Sequence, residues 1–171
     1  MTQTYEIGAN TLRFERFYDA SIEEVWSLWT TKDGLEEWFA PEGMHVEVLA
    51  LEPTVGGAFD HVMTAVGADQ IAYFAKLCRP IRTQVSGRFV EVLPHRWLRI
   101  RLDIDFVPDV EAYPYYIAVE FHGEGERVRM IVTADRHPDA EMTQGAIIGL
   151  TSQLLHFDRA VAKRAGMGRR A

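Results

Sequence analysis

The sequence has one cysteine, Cys78, and it lacks an apolar run of the roughly 20 residues that a membrane-spanning helix needs. One thiol can form neither an internal disulfide nor a cysteine-based zinc site. The first residues, Met1 to Asn10, are polar and lack the basic and apolar parts of a signal peptide. We therefore expect a cytoplasmic protein without a disulfide framework.

An excess of positive charge is also missing, since the formal net charge is −7. An acidic surface repels phosphate backbones and anionic lipid head groups, so nucleic acid and membranes are poor candidates for partners. The sequence contains no HExxH motif, no glycine-rich phosphate loop and no nucleophile elbow. No metal site and no cofactor are predicted, and the oligomeric state stays open, with a homodimer possible.

What the 171 residues do contain is a composition that is 47% hydrophobic, which suffices for the core of one domain. Alternating apolar and polar residues predict strands, first from Leu12 to Tyr18, where Phe17 blurs the pattern, and most clearly from Trp97 to Phe106. Successive hairpins imply an antiparallel sheet. Further strands are predicted at 45–51, 59–65, 87–93, 115–122 and 127–135.

Charged residues share the polar side of these strands. Asp103 and Asp105 alternate with apolar neighbours, so they should face outward. Paired carboxylates can perform acid–base chemistry, but ion pairing across strands is the simpler interpretation. The candidate partners are Arg99, Arg101, Arg127 and Arg129.

Helices are predicted near both ends of the chain. Ser21 and Glu24 have the spacing of a capping box, which begins a short helix, and a second short helix runs through Trp38. Residues 66–80 are ambiguous, and their apolar spacing allows a short helix or a lid. A long last helix is predicted from Asp139, a candidate N-cap, to Arg164. Its apolar stripe contains Ile147, Leu150, Leu154, Phe157 and Val161, widened by Ile148 and Leu155.

The predicted fold class is α+β, with a curved antiparallel sheet wrapped around the long C-terminal helix and two short helices between the first two strands. Residues 1–165 form the single domain, and residues 166–171 form a disordered basic tail. Gly145 and Gly149 lie four apart on the last helix, where close packing against the sheet is the commoner reason for glycine. His156 and Asp158 are two positions apart and do not share a helix face, so they are interpreted as surface residues rather than metal ligands.

Several segments resemble the SRPBCC superfamily, whose members have the START-like helix-grip fold. They are FERFYDASIEEVWSLW (14–29), EWFAP (37–41), GGAF (56–59) and GRFVEVLP (87–94). Residues 105–113 and 126–135 resemble a bacterial subgroup of one branch, the C-terminal domain of the heat-shock-protein-90 ATPase activator homologue. The resemblance covers Leu12 to Leu155 and implies a bent sheet that encloses a cavity against the last helix.

Relatives in the superfamily bind lipids, polyketides or other metabolites, some act as cyclases, and one branch binds the chaperone. The resemblance therefore implies binding of a small apolar or amphipathic ligand as the leading hypothesis. A polyketide cyclase or dehydratase is one alternative. A chaperone-ATPase activator or other interaction module is another, which we favour less because little chain precedes Leu12. Members usually have Gly-Trp where this sequence has Gly149-Leu150, which should enlarge or reshape the cavity.

The only candidate for catalysis is His61, which shares a strand face with Phe59 and Met63. An imidazole with a pKa near about 6.5 can move protons, but a lone histidine bonded in the core or at its rim is the favoured interpretation. Aromatic residues can form a packed core or a pocket, and the resemblance favours a pocket with His61, Tyr113 and Tyr115 as polar tips. The predicted cavity residues are Trp29, Trp38, Phe39, Phe59, His61, Met63, Phe74, Phe106, Tyr113, Tyr115, Ile147, Leu150, Thr151 and Leu154.

Overall fold

The structure, a computed structural model, describes residues 4–168. No helix within that range is long and apolar enough to cross a bilayer. The elements in chain order are β1 (Thr4–Ile7), β2 (Thr11–Tyr18), α1 (Ile22–Thr30), α2 (Lys32–Trp38), β3 (Met44–Leu51), β4 (Phe59–Ala65), α3 (Ala68–Lys76), β5 (Arg82–Leu93), β6 (Trp97–Ile104), β7 (Tyr113–Glu124), β8 (Arg127–Asp135) and α4 (Ala140–Gly168).

The strands form one antiparallel sheet in the order β1-β2-β8-β7-β6-β5-β4-β3. Register shifts between Val48 and Ala50 in β3, and between Phe89 and Glu91 in β5, are irregularities of the kind that bend a strand. The sheet curves around α4, which also packs against α1 and α2. The predicted α+β helix-grip class is confirmed.

Strand β1 was not predicted, and it changes the position of the two short helices. They follow β2, so they lie between the second and third strands rather than between the first two. Strand β1 has four residues and pairs only with β2, from Thr4 opposite Glu15 to Ile7 opposite Leu12. Four residues are too few for a period of two to stand out, and backbone pairing at the sheet edge defines the strand instead.

Strand β2 places a charged residue, Arg16, on the face where alternation predicts apolar side chains. Burial alternates strictly along the strand, and the inward positions are Leu12, Phe14, Arg16 and Tyr18. Phe17, which blurred the apolar pattern, faces outward, and the Arg127 guanidinium lies 5.8 Å from the centre of its ring. Arg16 is therefore a buried cation inside the sheet.

Helix α4 begins as predicted, since the Asp139 carboxylate accepts a hydrogen bond of 2.9 Å from the Met142 backbone N–H. The helix continues past Arg164 to Gly168, through part of the predicted tail, and residues 169–171 lie outside the described range. The predicted stripe is buried at Ile147, Leu150, Leu154, Phe157 and Val161. Ile148 and Leu155 do not widen this stripe, because both are exposed.

Two further expectations about side-chain packing are corrected. A Cβ added at Gly145 or Gly149 would meet no atom within 4 Å, so close packing does not explain either glycine. Asp103 pairs with Arg101 at 2.9 Å, but along its own strand rather than across strands. The ion pairs that do cross strands join Arg99 to Glu91 and Arg129 to Glu15.

Candidate functional site

The space between the sheet and α4 has two halves that differ in packing. The antiparallel register brings together the last residues of β4, β6 and β8 and the first residues of β7, at the end of the sheet where α3 and α4 begin. We call this end the open half, and its predicted cavity residues are Met63, Phe74, Phe106, Tyr113, Tyr115, Ile147, Leu150 and Thr151. The packed half contains the other predicted cavity residues, Trp29, Trp38, Phe39, Phe59, His61 and Leu154.

Aromatic rings fill the packed half. Trp38 lies at its centre, with its ring 4.6 Å from that of Trp29 and 4.8 Å from that of Phe157. Its indole N–H donates to the Leu28 carbonyl at 2.8 Å. Leu154 is 1% exposed. The residues of this half contact one another as a core does, and a cavity-lining role for them stays a prediction.

His61 points inward as its strand position indicated. It is 3% exposed, and its ring makes edge contacts with Phe39 at 5.2 Å and Phe59 at 5.8 Å. Its buried Nδ1 has no hydrogen-bond partner. Burial lowers the pKa of His61 to about 4, against a smaller opposing effect of Asp60, so the imidazole is neutral at pH 7.

Helix α3 follows β4 at the open half and contacts β4, and the short helix suggested by the sequence is confirmed. None of its nine residues is buried. Ile71 and Tyr73 are exposed, while Phe74 is half-buried. Because no residue of α3 is buried, its apolar face is only loosely covered. A helix this short is marginally stable unless such a face packs against another element.

A pair of titratable side chains lies at the open half. The Tyr113 hydroxyl is 2.6 Å from His137 Nδ1, and the Tyr115 ring stacks on the imidazole with centroids 4.5 Å apart and planes inclined by 12°. Burial raises the pKa of Tyr113 and of Tyr115. Burial, and then the charge of Arg79, lower the pKa of His137, which is therefore neutral at pH 7.

Arg79 follows α3, and its charge acts on both Tyr113 and His137. Its guanidinium carbon lies 5.2 Å from the Phe74 ring centre and 5.7 Å from the Phe106 ring centre. Within residues 4–168, Arg79 forms no ion pair. Neither Arg79 nor His137 was predicted from the sequence as a site residue. Both lie in connections just outside helices, where hydrophobic periodicity carries no signal.

Two depressions open to solvent lie on the surface of the protein. One, of about 610 Å³, includes His137 and so borders the open half; its other lining residues are Ala9, Asn10, Asp135, Arg136, Pro138, Ala140 and Thr143. The other, of about 330 Å³, is lined by Glu37, His156, Arg159, Ala160 and Lys163. Among the described residues, no group of three histidines, cysteines or acids could hold a metal ion.

Asp158 and His156 are not the free surface residues that the sequence suggested. The Asp158 carboxylate accepts a 2.8 Å hydrogen bond from the Tyr18 hydroxyl and lies 3.8 Å from Nε of the buried Arg16. His156 Nδ1 is 2.7 Å from the Ala40 carbonyl oxygen. These contacts join α4 to β2 and to the segment that follows α2.

Solved structures with the same architecture come from several bacteria. A protein from Chromobacterium violaceum is 21% identical, with a TM-score of 0.74 over 90% of this chain and 98% of its own. A protein from Arthrobacter aurescens is 19% identical, with a TM-score of 0.75 over 94% of this chain and 91% of its own. The protein described as AHSA1 from Silicibacter pomeroyi is 23% identical, with a TM-score of 0.69 over 90% and 99%. These likenesses establish the fold.

No curated protein matches the sequence. The profile of one family, described as Activator of Hsp90 ATPase homolog 1-like protein, matches residues 19–162. That range begins before α1 and ends within α4, so it includes both halves of the space between the sheet and the helix. The chain belongs to the family of Activator of Hsp90 ATPase homolog 1-like proteins, within the SRPBCC superfamily.

Proposed function

We propose that this protein binds a small apolar or amphipathic molecule in the open half, between α3, the first half of α4 and the sheet. The observation that carries the proposal is the uncovered apolar surface of α3, where Ile71 is exposed and Phe74 is half-buried. Removing apolar area from water contributes about 25 cal/mol per Å². Covering this surface with an apolar ligand would therefore favour binding of the ligand and would stabilise α3.

Helix α4 supports the same location. Ile147 and Leu150 face inward in its first half, and the family resemblance places Leu150 where members usually have tryptophan. Gly149, the residue before Leu150, is half-buried, and an added Cβ there would meet no neighbouring atom within 4 Å. Met63, Phe106 and Tyr113 are only partly buried against the core, and they offer further apolar surface.

The family supports a ligand-binding or activator-like module in general. A cyclase or dehydratase that uses His61 gains no support from the geometry, because general acid–base catalysis needs a group within hydrogen-bond reach and His61 Nδ1 has no partner. No contact of the described residues favours the chaperone-activator alternative over ligand binding.

The test is uptake of the neutral dye Nile red by the wild type and by two tryptophan variants of α4. The wild type should bind the dye. Leu150→Trp should fill the ligand space, weaken dye binding severalfold and leave the stability unchanged or higher. Leu155→Trp, at an exposed position of the same helix, is the matched control and should bind like the wild type.

A solid open half gives the opposite result. Adding an indole to full packing costs about 1 to 3 kcal/mol or more, so Leu150→Trp would be clearly destabilised in a denaturant melt. That outcome, together with a wild type that takes up no dye, contradicts the proposal. Native mass spectrometry of freshly purified wild type is the accompanying measurement, and a co-purified small molecule should dissociate on denaturation.

A further inference from the structure

The polar groups at the open half are hydrogen-bond donors. Arg79 has five N–H donors and no acceptor, and it forms no ion pair within the described part of the chain. Its guanidinium is held by the rings of Phe74 and Phe106. Those contacts leave the charge of the guanidinium without an anionic partner.

The Tyr113–His137 pair adds one more donor in either tautomer. If the Tyr113 hydroxyl donates to Nδ1 across the 2.6 Å contact, the proton of the neutral imidazole is on Nε2 and remains available. If Nδ1–H donates to the tyrosine oxygen instead, the phenolic proton is available. Among the described residues, the other hydrogen-bond partner of the hydroxyl is the weak acceptor Met142 Sδ at 4.0 Å.

The nearby carboxylates already have partners. Asp135 Oδ2 accepts a hydrogen bond of 3.0 Å from the Tyr116 backbone N–H. Asp139 Oδ1 accepts the 2.9 Å bond that caps α4. Neither aspartate forms an ion pair with Arg79. Within residues 4–168, no carboxylate forms an ion pair with Arg79, so an acceptor from outside the chain can bind its guanidinium.

We infer that the ligand is an amphipathic monocarboxylic acid, whose carboxylate binds Arg79 and the Tyr113–His137 pair while its apolar body lies against Phe74 and Phe106. A carboxylate only accepts hydrogen bonds, and its two oxygens match the planar guanidinium. The single positive charge of the Arg79 guanidinium matches the one negative charge of a monocarboxylate rather than the two of a phosphate monoester. This inference rests on the proposed function and gives it a ligand class.

The experiment compares decanoate with decanol, which share an apolar chain and differ in the head group, by isothermal titration calorimetry. Without a site for the head group, the alcohol should bind more tightly, because burying an unpaired carboxylate is unfavourable. With the site, the wild type should prefer decanoate by at least about tenfold, the effect of one hydrogen bond to a charged group.

Two arginine variants identify the group responsible. Arg79→Met keeps the apolar stem against the rings and should abolish the preference for decanoate, with decanol binding unchanged. Arg88→Met removes the same charge from an exposed position of β5 and should keep the preference. Tyr113→Phe removes the hydroxyl and should reduce the preference severalfold.

Failure of the head-group inference and failure of the proposed function give different results. If the wild type binds decanol as well as decanoate, or if Arg79→Met retains the preference, the head-group inference is wrong while the apolar site stands. If the wild type binds neither compound and takes up no Nile red, both are wrong. Loss of the preference in Arg88→Met as well would assign it to net charge and overturn the role of Arg79.

Discussion

His61 is a neutral imidazole in an apolar environment, and its protonation is coupled to stability. Its pKa is lowered to about 4 in the folded protein, while the unfolded chain has the ordinary value near 6.5. As the pH falls, the unfolded state binds the proton first. His61 therefore reduces the free energy of unfolding by about 3 kcal/mol between pH 7 and pH 4.

The first prediction is that His61→Leu removes this part of the acid destabilisation. At pH 7 the variant should lie within about 1 kcal/mol of the wild type, because leucine also removes a buried donor or acceptor that has no partner. At pH 4 it should be more stable than the wild type. Urea melts across this range measure the difference, and His45→Gln, at an exposed imidazole of β3, is the control. Equal acid sensitivity in His61→Leu and wild type would contradict the prediction.

Arg16 and Asp158 form a second residue-scale unit, in which α4 balances a cation buried in β2. The side chain of Arg16 is 4% exposed and that of Asp158 is 16% exposed. The second prediction is that Asp158→Ala lowers the free energy of unfolding by about 3 kcal/mol or more in a denaturant melt, because it leaves the guanidinium buried without its carboxylate. The hydroxyl of Tyr18 loses its acceptor in the same variant.

The control for that second prediction is the exposed ion pair between Arg127 and Asp19, which is 3.0 Å long. Asp19→Ala should cost under about 1 kcal/mol, since exposed pairs contribute little. The double variant Arg16→Met, Asp158→Leu should recover most of the loss, because it leaves no buried charge. A double variant as unstable as Asp158→Ala would show that the charge balance is not the cause.

At the scale of elements, glycine has different roles in α2 and in α4. A Cβ at Gly34 in α2 would lie 2.5 Å from the Ser27 carbonyl oxygen and 2.9 Å from the Leu28 Cα. A Cβ at Gly145 in α4 would meet nothing within 4 Å. Helix α2 therefore needs glycine for its close approach to α1, and α4 gains no such packing from Gly145.

The third prediction is that the same substitution has opposite signs in the two helices. Gly145→Ala should stabilise the protein by about 1 kcal/mol, the propensity difference in a helix interior. Gly34→Ala should destabilise it by about 2 kcal/mol, because backbone atoms must move to admit the methyl group. Thermal unfolding monitored by circular dichroism measures both. Stabilisation of both variants would show that α1 and α2 can separate at no cost.

The strands and helices with strong hydrophobic periodicity were predicted well from the sequence. The errors fall where a single residue departs from that periodicity. Strand β6 and the buried stripe of α4 follow from alternation and from helical spacing, because burial acts on every second or every third to fourth residue. The alternation in β2 did not predict that Arg16 faces inward, because a cation is rarely buried without a partner. That partner, Asp158, is 142 positions away in the sequence, and sequence spacing does not reveal such a contact.

The candidate site was predictable only in its apolar part. Tyr113 and Tyr115 fall on the inward side of β7, so alternation could find them. Arg79 and His137 lie in the connections after α3 and after β8, and the fold brings them close enough for the charge of Arg79 to lower the pKa of His137. Long-range contact of this kind is set by strand order, which one sequence does not show.

At the scale of the whole molecule, packing is distributed unevenly around α4. The packed half contains tryptophan and phenylalanine rings that are almost fully buried, and the open half has a helix with no buried residue. Regions with few buried apolar contacts open locally at low free energy, and binding surfaces are often found there. The packed half therefore maintains the fold, and α3 is the element whose order a ligand can change.

The fourth prediction concerns that coupling and uses amide hydrogen exchange. In the free protein, amides of α3 should exchange much faster than those of β7 and β8, because α3 contacts little else than β4. Saturation with decanoate should slow exchange in Ala68–Lys76 at least about tenfold if ligand contact stabilises the helix by about 1.4 kcal/mol. Leu150→Trp, which fills the same space, should show slow exchange in α3 without ligand and little further change with it. Protection that is spread evenly over the sheet, with α3 unchanged, would mean that the ligand binds elsewhere and that α3 is not its cover.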